Sequence, residues 1–165
     1  MVLLPLDTAH AATVADWPVS LPEVTMWCGA REFPVPARTI RAWQDEADVR
    51  AHVLVEGHTL LGYGELWFDP AENEVELARI IVSPHARGRG VGRELVRGLL
   101  ARALEAGFPD VFMRVHPDNA RALRCYQGAG FELVDAALAG AWNAGQPFDY
   151  VWLRAEPTAA STAAG

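Results

Sequence analysis

Residues 82–95 read VSPHARGRGVGREL. Gly88, Gly90 and Gly92 interleave with Arg87, Arg89, Val91 and Arg93, between the β-branched run Ile80-Ile81-Val82 and an apolar pattern of helical period. A helix start presents unpaired N–H groups and the positive end of its dipole. Glycine lets that backbone approach a ligand closely, and three guanidiniums add charge at the same place. Together these residues describe an anion site, with phosphate the natural occupant. Spacing narrows the ligand. A dinucleotide turn needs Gly-x-Gly-x-x-Gly, but counting from Gly88 gives Gly90 and then Arg93. A nucleotide P-loop needs lysine, and all fourteen basic residues here are arginine. What fits is Arg87-x-x-Gly90-x-Gly92.

A second stretch, VHPDNARALRCYQGAGFELV (115–134), sets Asn119 and Tyr126 seven residues apart. That is about two helical turns, so both side chains face one way. A phenol ordinarily titrates near pH 10 and can keep a proton at neutral pH. Tyr126 reads equally as a core aromatic, and Asn119 as an ordinary N-cap. Cys125 points about 100° away from Tyr126 and has no activating histidine fixed by sequence, so it reads as structural. His85 and His116 read as solvated residues near strand ends.

The elements that must position these residues follow from periodicity and turn chemistry. Strands are expected at 2–7, 51–57, 59–68, 74–83, 110–117, 131–138 and 147–155. Two glycines in TLLGYGELWF suggest a bulge in the third. Helices are expected at 8–17 (capped by Thr8), 37–49, 90–106 and 119–128. Residues 18–36 carry four prolines and read as a loop or broken helix anchored by Trp27 and Phe33. The order predicts an α/β (α+β) fold in one domain over 1–155, with a mixed sheet and helices on both faces. The tail at 156–165 is low in complexity and expected to be disordered.

The two blocks, in this order and separated by one helix and one strand, resemble the GNAT superfamily of acyl-CoA-dependent N-acetyltransferases. The resemblance rests on Arg87, Gly90 and Gly92, then Asn119, Tyr126 and Gly130-Phe131. It spans about 75–134; residues 1–74 match only in element order. It implies a mostly antiparallel central sheet of about seven strands. It implies acetyl-CoA as co-substrate, with its pyrophosphate on the amides of Gly88, Arg89, Gly90, Val91, Gly92 and Arg93 beside Arg87. The pantetheine arm would lie along Ile80, Ile81 and Val82, whose backbone N–H groups would polarise the thioester. Tyr126 would be the general acid, and Asn119 would touch the CoA arm. Glu76, eleven residues before Arg87, resembles the catalytic base of the histone-acetylating branch, and reads equally as a surface acid of DPAENEVE. Branches that acetylate ribosomal-protein N-termini place their base where this chain has Arg114. Trp27 and Phe33 fall where family members build the acceptor pocket.

The implied reaction is acetyl transfer to a primary amine of a small molecule or peptide by direct attack. The alternatives are an acyl-CoA-binding sensor and acetylation of a protein N-terminus. Pairing as a homodimer through sheet edges is compatible. Composition agrees with this class. The 165 residues are 51% hydrophobic, with a formal net charge of −7, against the basic field a nucleic-acid surface needs. Glu65, Asp69, Glu72, Glu74 and Glu76 read as a solvated hairpin tip that could also steer a cation. No apolar run is long enough for a membrane helix, and no basic leader precedes the first strand. Cys28 and Cys125 have no metal-ligand spacing, so no metal is expected. A reduced, cytoplasmic setting is the default.

Overall fold

The computed structural model describes residues 1–156; apart from Glu156, the expected tail lies outside the described residues. The elements are β1 (Val2–Pro5), α1 (Ala11–Ala15), α2 (Leu21–Cys28), α3 (Ala37–Trp43), β2 (Val49–Glu56), β3 (Thr59–Asp69), β4 (Glu74–Val82), α4 (Val91–Glu105), β5 (Asp110–Val115), α5 (Ala120–Gly128), β6 (Phe131–Leu133), α6 (Ala136–Asn143) and β7 (Val151–Ala155). One seven-stranded sheet runs β1-β2-β3-β4-β5-β7-β6. Its pairs are antiparallel except β4–β5, which α4 connects, as a parallel pair requires a crossover.

Three local expectations are corrected. Asp7, not Thr8, caps the first turn, its carboxylate accepting from Ala9 N–H at 2.8 Å. The proline-rich 18–36 stretch contains a full helix, α2. Ser20 caps it, Pro22 sits in its first turn, and Gly29 ends it at φ 72°; proline costs nothing in a first turn, where its N–H would have no partner. The strand expected over 131–138 stops at Leu133. Asp135 then caps α6 by accepting from Leu138 N–H at 2.8 Å, and AALAGAWN follows its alanine-rich helix propensity.

Each sheet face buries its own core. Leu66, Val75, Leu77, Leu95, Leu99, Met113 and Phe131 pack with α4 and α5. Val14, Val24, Trp27, Ile40, Val53, Tyr63 and Ile81 form the core under α1–α3. Along β4, Val75 and Leu77 face the α4 core, whereas Ile81, also odd-numbered, faces the other. The inversion has a visible cause. Glu65 pairs with Ala78 and Tyr63 with Ile81, so Arg79 and Ile80 together oppose the single residue Gly64. One extra residue turns every later side chain to the opposite face. Gly64 permits this, because a Cβ there would lie 2.6 Å from Leu99 Cδ1 and 3.2 Å from Ile80 Cγ1. The irregularity expected at the β3 glycines is present on β3 itself, where Leu60 pairs with Val55 and Gly62 with Leu54, leaving Leu61 as an extra residue; the extra residue on β4 is a second one.

Candidate functional site

The parallel pairing of β4 with β5 covers only Glu74–Glu76 against Asp110–Phe112. Beyond it the strands part, and a cleft of about 960 Å³ opens between Leu77–Val82 and Met113–His116. Backbone that has lost its neighbour along this edge is free to pair with an extended ligand. Ile80, Ile81 and Val82 line the cleft. Their side chains remain in the two cores, so backbone and side chains serve different purposes.

At one end lies the start of α4. Gly90 is its N-cap at φ 79°, with no side chain capping the helix, and Gly88 also adopts positive φ at 77°. The first helical bond returns from Glu94 N–H to the Gly90 carbonyl, so the preceding N–H groups have no acceptor within the helix. Gly92 allows close helix contact, because a Cβ there would sit 3.0 Å from Cys125 Sγ. Gly88, Gly90, Val91, Gly92 and Arg93 all line the cleft. The arginines divide. Arg87 donates from Nε to the Val82 carbonyl at 3.1 Å and pairs with Glu23 of α2. It ties two cleft walls together and is not a free charge. Arg89 faces Glu56 at 3.6 Å and is not part of the lining. Arg93, with Arg121 and Arg124 of α5, lines the cleft without an ion-pair partner among the described residues.

On α5, Asn119 Oδ1 accepts from Ala122 N–H at 3.1 Å, so it is the N-cap; the residue also lines the cleft. Tyr126 is buried yet borders the same space. Burial, reinforced by nearby Cys125, raises its phenol well above the ordinary tyrosine range. Burial also raises the Cys125 thiol, more than Arg93 and Arg121 lower it, which leaves it a poor nucleophile. Tyr126 reaches the cleft from the α4–α5 face.

The opposite face supplies the other wall. Glu76 is buried, and Arg114 of β5 grips both its oxygens, donating at 2.6 Å and 2.9 Å. Arg114 also lies against Tyr150 and Trp152, 5.4 Å and 4.8 Å from their ring centres. Trp67 stands opposite Glu76 across β3–β4. Glu65, expected at a solvated tip, is fully buried. Its carboxylate accepts from Tyr63 Oη, from Trp67 Nε1 at 2.6 Å and from Arg79 at 3.0 Å. Arg79 lies 4.0 Å from the Trp43 ring centre and 4.8 Å from that of Trp67. Trp27 is buried, donates from Nε1 to the Arg79 carbonyl at 2.9 Å and borders the cleft. Phe33 is exposed and outside the cleft lining.

His116 is also buried rather than solvated, accepting from Asp118 N–H at 3.1 Å and meeting Phe148 edge-to-face with ring centres 4.5 Å apart. Sequence reading assigned no role to Trp67, Arg79 or Tyr150. Trp67 had a usable signal: turn residues Asp69-Pro70 and Asn73 set a hairpin register that puts it opposite Glu76.

The Acetyltransferase (GNAT) family profile matches residues 13–131. A mycothiol acetyltransferase of Rhodococcus erythropolis is 33% identical over 129 residues, which cover 73% of this chain and 42% of that protein. The chain thus spans less than half the length of this curated relative. Two solved structures share the fold. A point mutant of the spermidine N-acetyltransferase SpeG from Vibrio cholerae superposes with TM-score 0.71 at 18% identity, covering 94% of each chain. AAC(6')-Ib in complex with paromomycin and acetyl-CoA gives TM-score 0.72 at 19% identity, covering 99% of this chain and 97% of that one. With its profile matched from α1 to β6 and its β4/β5 cleft in place, this chain belongs to the acetyltransferase (GNAT) family.

Proposed function

We propose that this protein transfers the acetyl group of acetyl-CoA to a primary amine by direct attack within a ternary complex. The observation that carries this is the cleft where β4 leaves β5, with uncapped helix N–H groups at one end and Tyr126 along its wall. The pyrophosphate would rest on the backbone of residues 88–93, and the pantetheine arm would extend the sheet along Ile80–Val82, beside Asn119. A β4 backbone N–H would polarise the thioester carbonyl, an electrostatic role suited to a desolvated site.

The reaction balances without a covalent enzyme intermediate. A neutral amine nitrogen attacks the carbonyl carbon and forms the C–N bond. The tetrahedral centre collapses, the C–S bond breaks, and its electron pair leaves on sulfur. Tyr126 gives the thiolate a proton, and a proton shed by the nitrogen returns to Tyr126 through solvent. Its raised pKa suits Tyr126 to hold that proton. An alkylammonium must first lose a proton to become a nucleophile. Glu76 is the carboxylate at the splayed end, and Arg114 commits both its oxygens. It would act as base through a water on its remaining lone pairs.

Thermal unfolding tests the cofactor assignment, with ATP and NAD as controls. Acetyl-CoA at about a hundred times its Kd adds roughly 2.7 kcal/mol, which raises the midpoint by about 5–10 °C at this size. Gly90→Glu should abolish the shift. A shift with ATP or NAD and none with acetyl-CoA refutes the proposal. Acetyl-CoA binding with no thiol release across amines and N-terminal peptides would make the protein a sensor.

A further inference from the structure

The acceptor end of the cleft is charged in a particular way. The two carboxylates that line the cleft are Glu23 and Glu76. Arg87 holds the first and Arg114 grips the second by both oxygens. Behind the wall, Glu65 is fully buried and held by Arg79. No carboxylate among the described lining residues is left to receive a second cation. Arg79 and Arg114 thus saturate the carboxylates on either side of this region. An unpaired charge in a partly desolvated space is costly.

The same residues give the region aromatic surface. Trp67 lies against the Arg79 guanidinium and Tyr150 against that of Arg114. Both rings are half-buried, with one part still facing the cleft. Met26 and Trp27 add apolar surface from α2. Each guanidinium is neutralised by its glutamate, so the wall is rich in π-surface and without net charge. Planar aromatic surface favours ring stacking.

We infer that the acceptor is a primary monoamine on a flat, apolar body, with no second cationic group. This rests on the acetyltransferase reading and narrows it. Spermidine and aminoglycosides are polycations, and the structures named for them share only the fold at this identity.

The test is a comparison of kcat/KM, by thiol release at saturating acetyl-CoA, for 2-phenylethylamine, hexylamine, 1,6-diaminohexane and spermidine. Hexylamine and the diamine differ by one ammonium; the phenyl compound adds a ring. The expected order is 2-phenylethylamine, hexylamine, then the two polyamines, with at least about a tenfold loss for the second charge, as an uncompensated charge in a partly desolvated space predicts. Trp67→Ala should bring 2-phenylethylamine down to the hexylamine level. Arg114→Gln frees Glu76 to receive a cation, and should move the hexylamine-to-diamine ratio about tenfold toward the diamine. Equal or better use of the diamine or spermidine by the unmodified protein overturns the inference. So does failure to acetylate any of the four when acetyl-CoA still raises the unfolding midpoint, an outcome that leaves the cofactor assignment standing. Loss of acetyl-CoA binding itself overturns both. If Arg114→Gln does not fold, the four-amine comparison on the unmodified protein still decides.

Discussion

At Tyr126, one side chain meets two requirements of the proposed general acid: it is buried, which favours keeping its proton, and it borders the cleft. Tyr126→Phe should lower kcat about 10²-fold, the usual size of a lost general acid, with the KM for acetyl-CoA within about threefold of its original value. Because burial raises the phenol's pKa, the rate should not fall through loss of this acid anywhere below about pH 10, the ordinary tyrosine value. A kcat profile over pH 6–10 checks this. Glu76→Gln separates two roles. A base working through water predicts a loss that shrinks as pH approaches the amine's own pKa near 10, where the nucleophile is already neutral, whereas a purely structural partner of Arg114 predicts a uniform drop. At this scale Tyr126, Asn119 and the glycines were legible, because spacing along one helix or loop places them. The partners of Arg87 and Glu65 were not, because Glu23 lies 64 residues away from the first and Arg79 14 residues from the second.

The bulge in β4 belongs to the scale of elements. Arg79 adopts φ 48°, a left-handed conformation that costs a non-glycine residue roughly 1 kcal/mol or more. Its side chain meets Glu65, Trp43 and Trp67, and its carbonyl receives Trp27. These contacts hold the bulge and, through it, the backbone edge of residues 80–82. Arg79→Ala leaves Glu65 buried without its cation and should destabilise the fold by about 3 kcal/mol. The double variant Arg79→Ala, Glu65→Leu should be less destabilised than Arg79→Ala alone, and urea unfolding of the set checks both. The β3 glycines announced an irregularity in the sequence. That of β3 is Leu61, inserted beside Gly62; the bulge of β4 and the inversion of its faces were not announced, since no glycine marks position 79.

Charge and pH act on the whole molecule. The protein is acidic overall, at −7, yet six arginines and two glutamates line its cleft. A positive cleft on an acidic body concentrates an anionic ligand and is screened by salt. Acetyl-CoA affinity should weaken severalfold between low and high salt, with Arg121→Ala or Arg124→Ala reducing that dependence. For stability, His52 is half-buried on β2, and burial lowers its pKa. As pH falls below about 6.5, the unfolded chain's imidazole takes up a proton that the folded one resists. The unfolded state then binds more protons, so this contribution to stability is lost with falling pH until the folded group also titrates. His52→Gln should flatten the dependence of stability between pH 7 and 5, read by urea unfolding. Among the described residues no helix is long and apolar enough to cross a membrane.

What the chain determined by itself was local: the α4 start with its glycines, the Asn119 cap, the two-turn offset to Tyr126 and the alternation that makes each strand. These depend on backbone freedom and on neighbours within a few residues, which spacing records directly. Tertiary structure decided what the site's charges do. Arg114 and Glu76 lie 38 residues apart and meet because α4 carries the chain from β4 back to its parallel neighbour β5. Tyr126 approaches from one face and Glu76 from the other, and both reach the same cleft only because the sheet parts between them. Ion pairs and the face assignments of β4 depend on strand order and on the residue inserted in that strand, and neither leaves a local mark in the sequence.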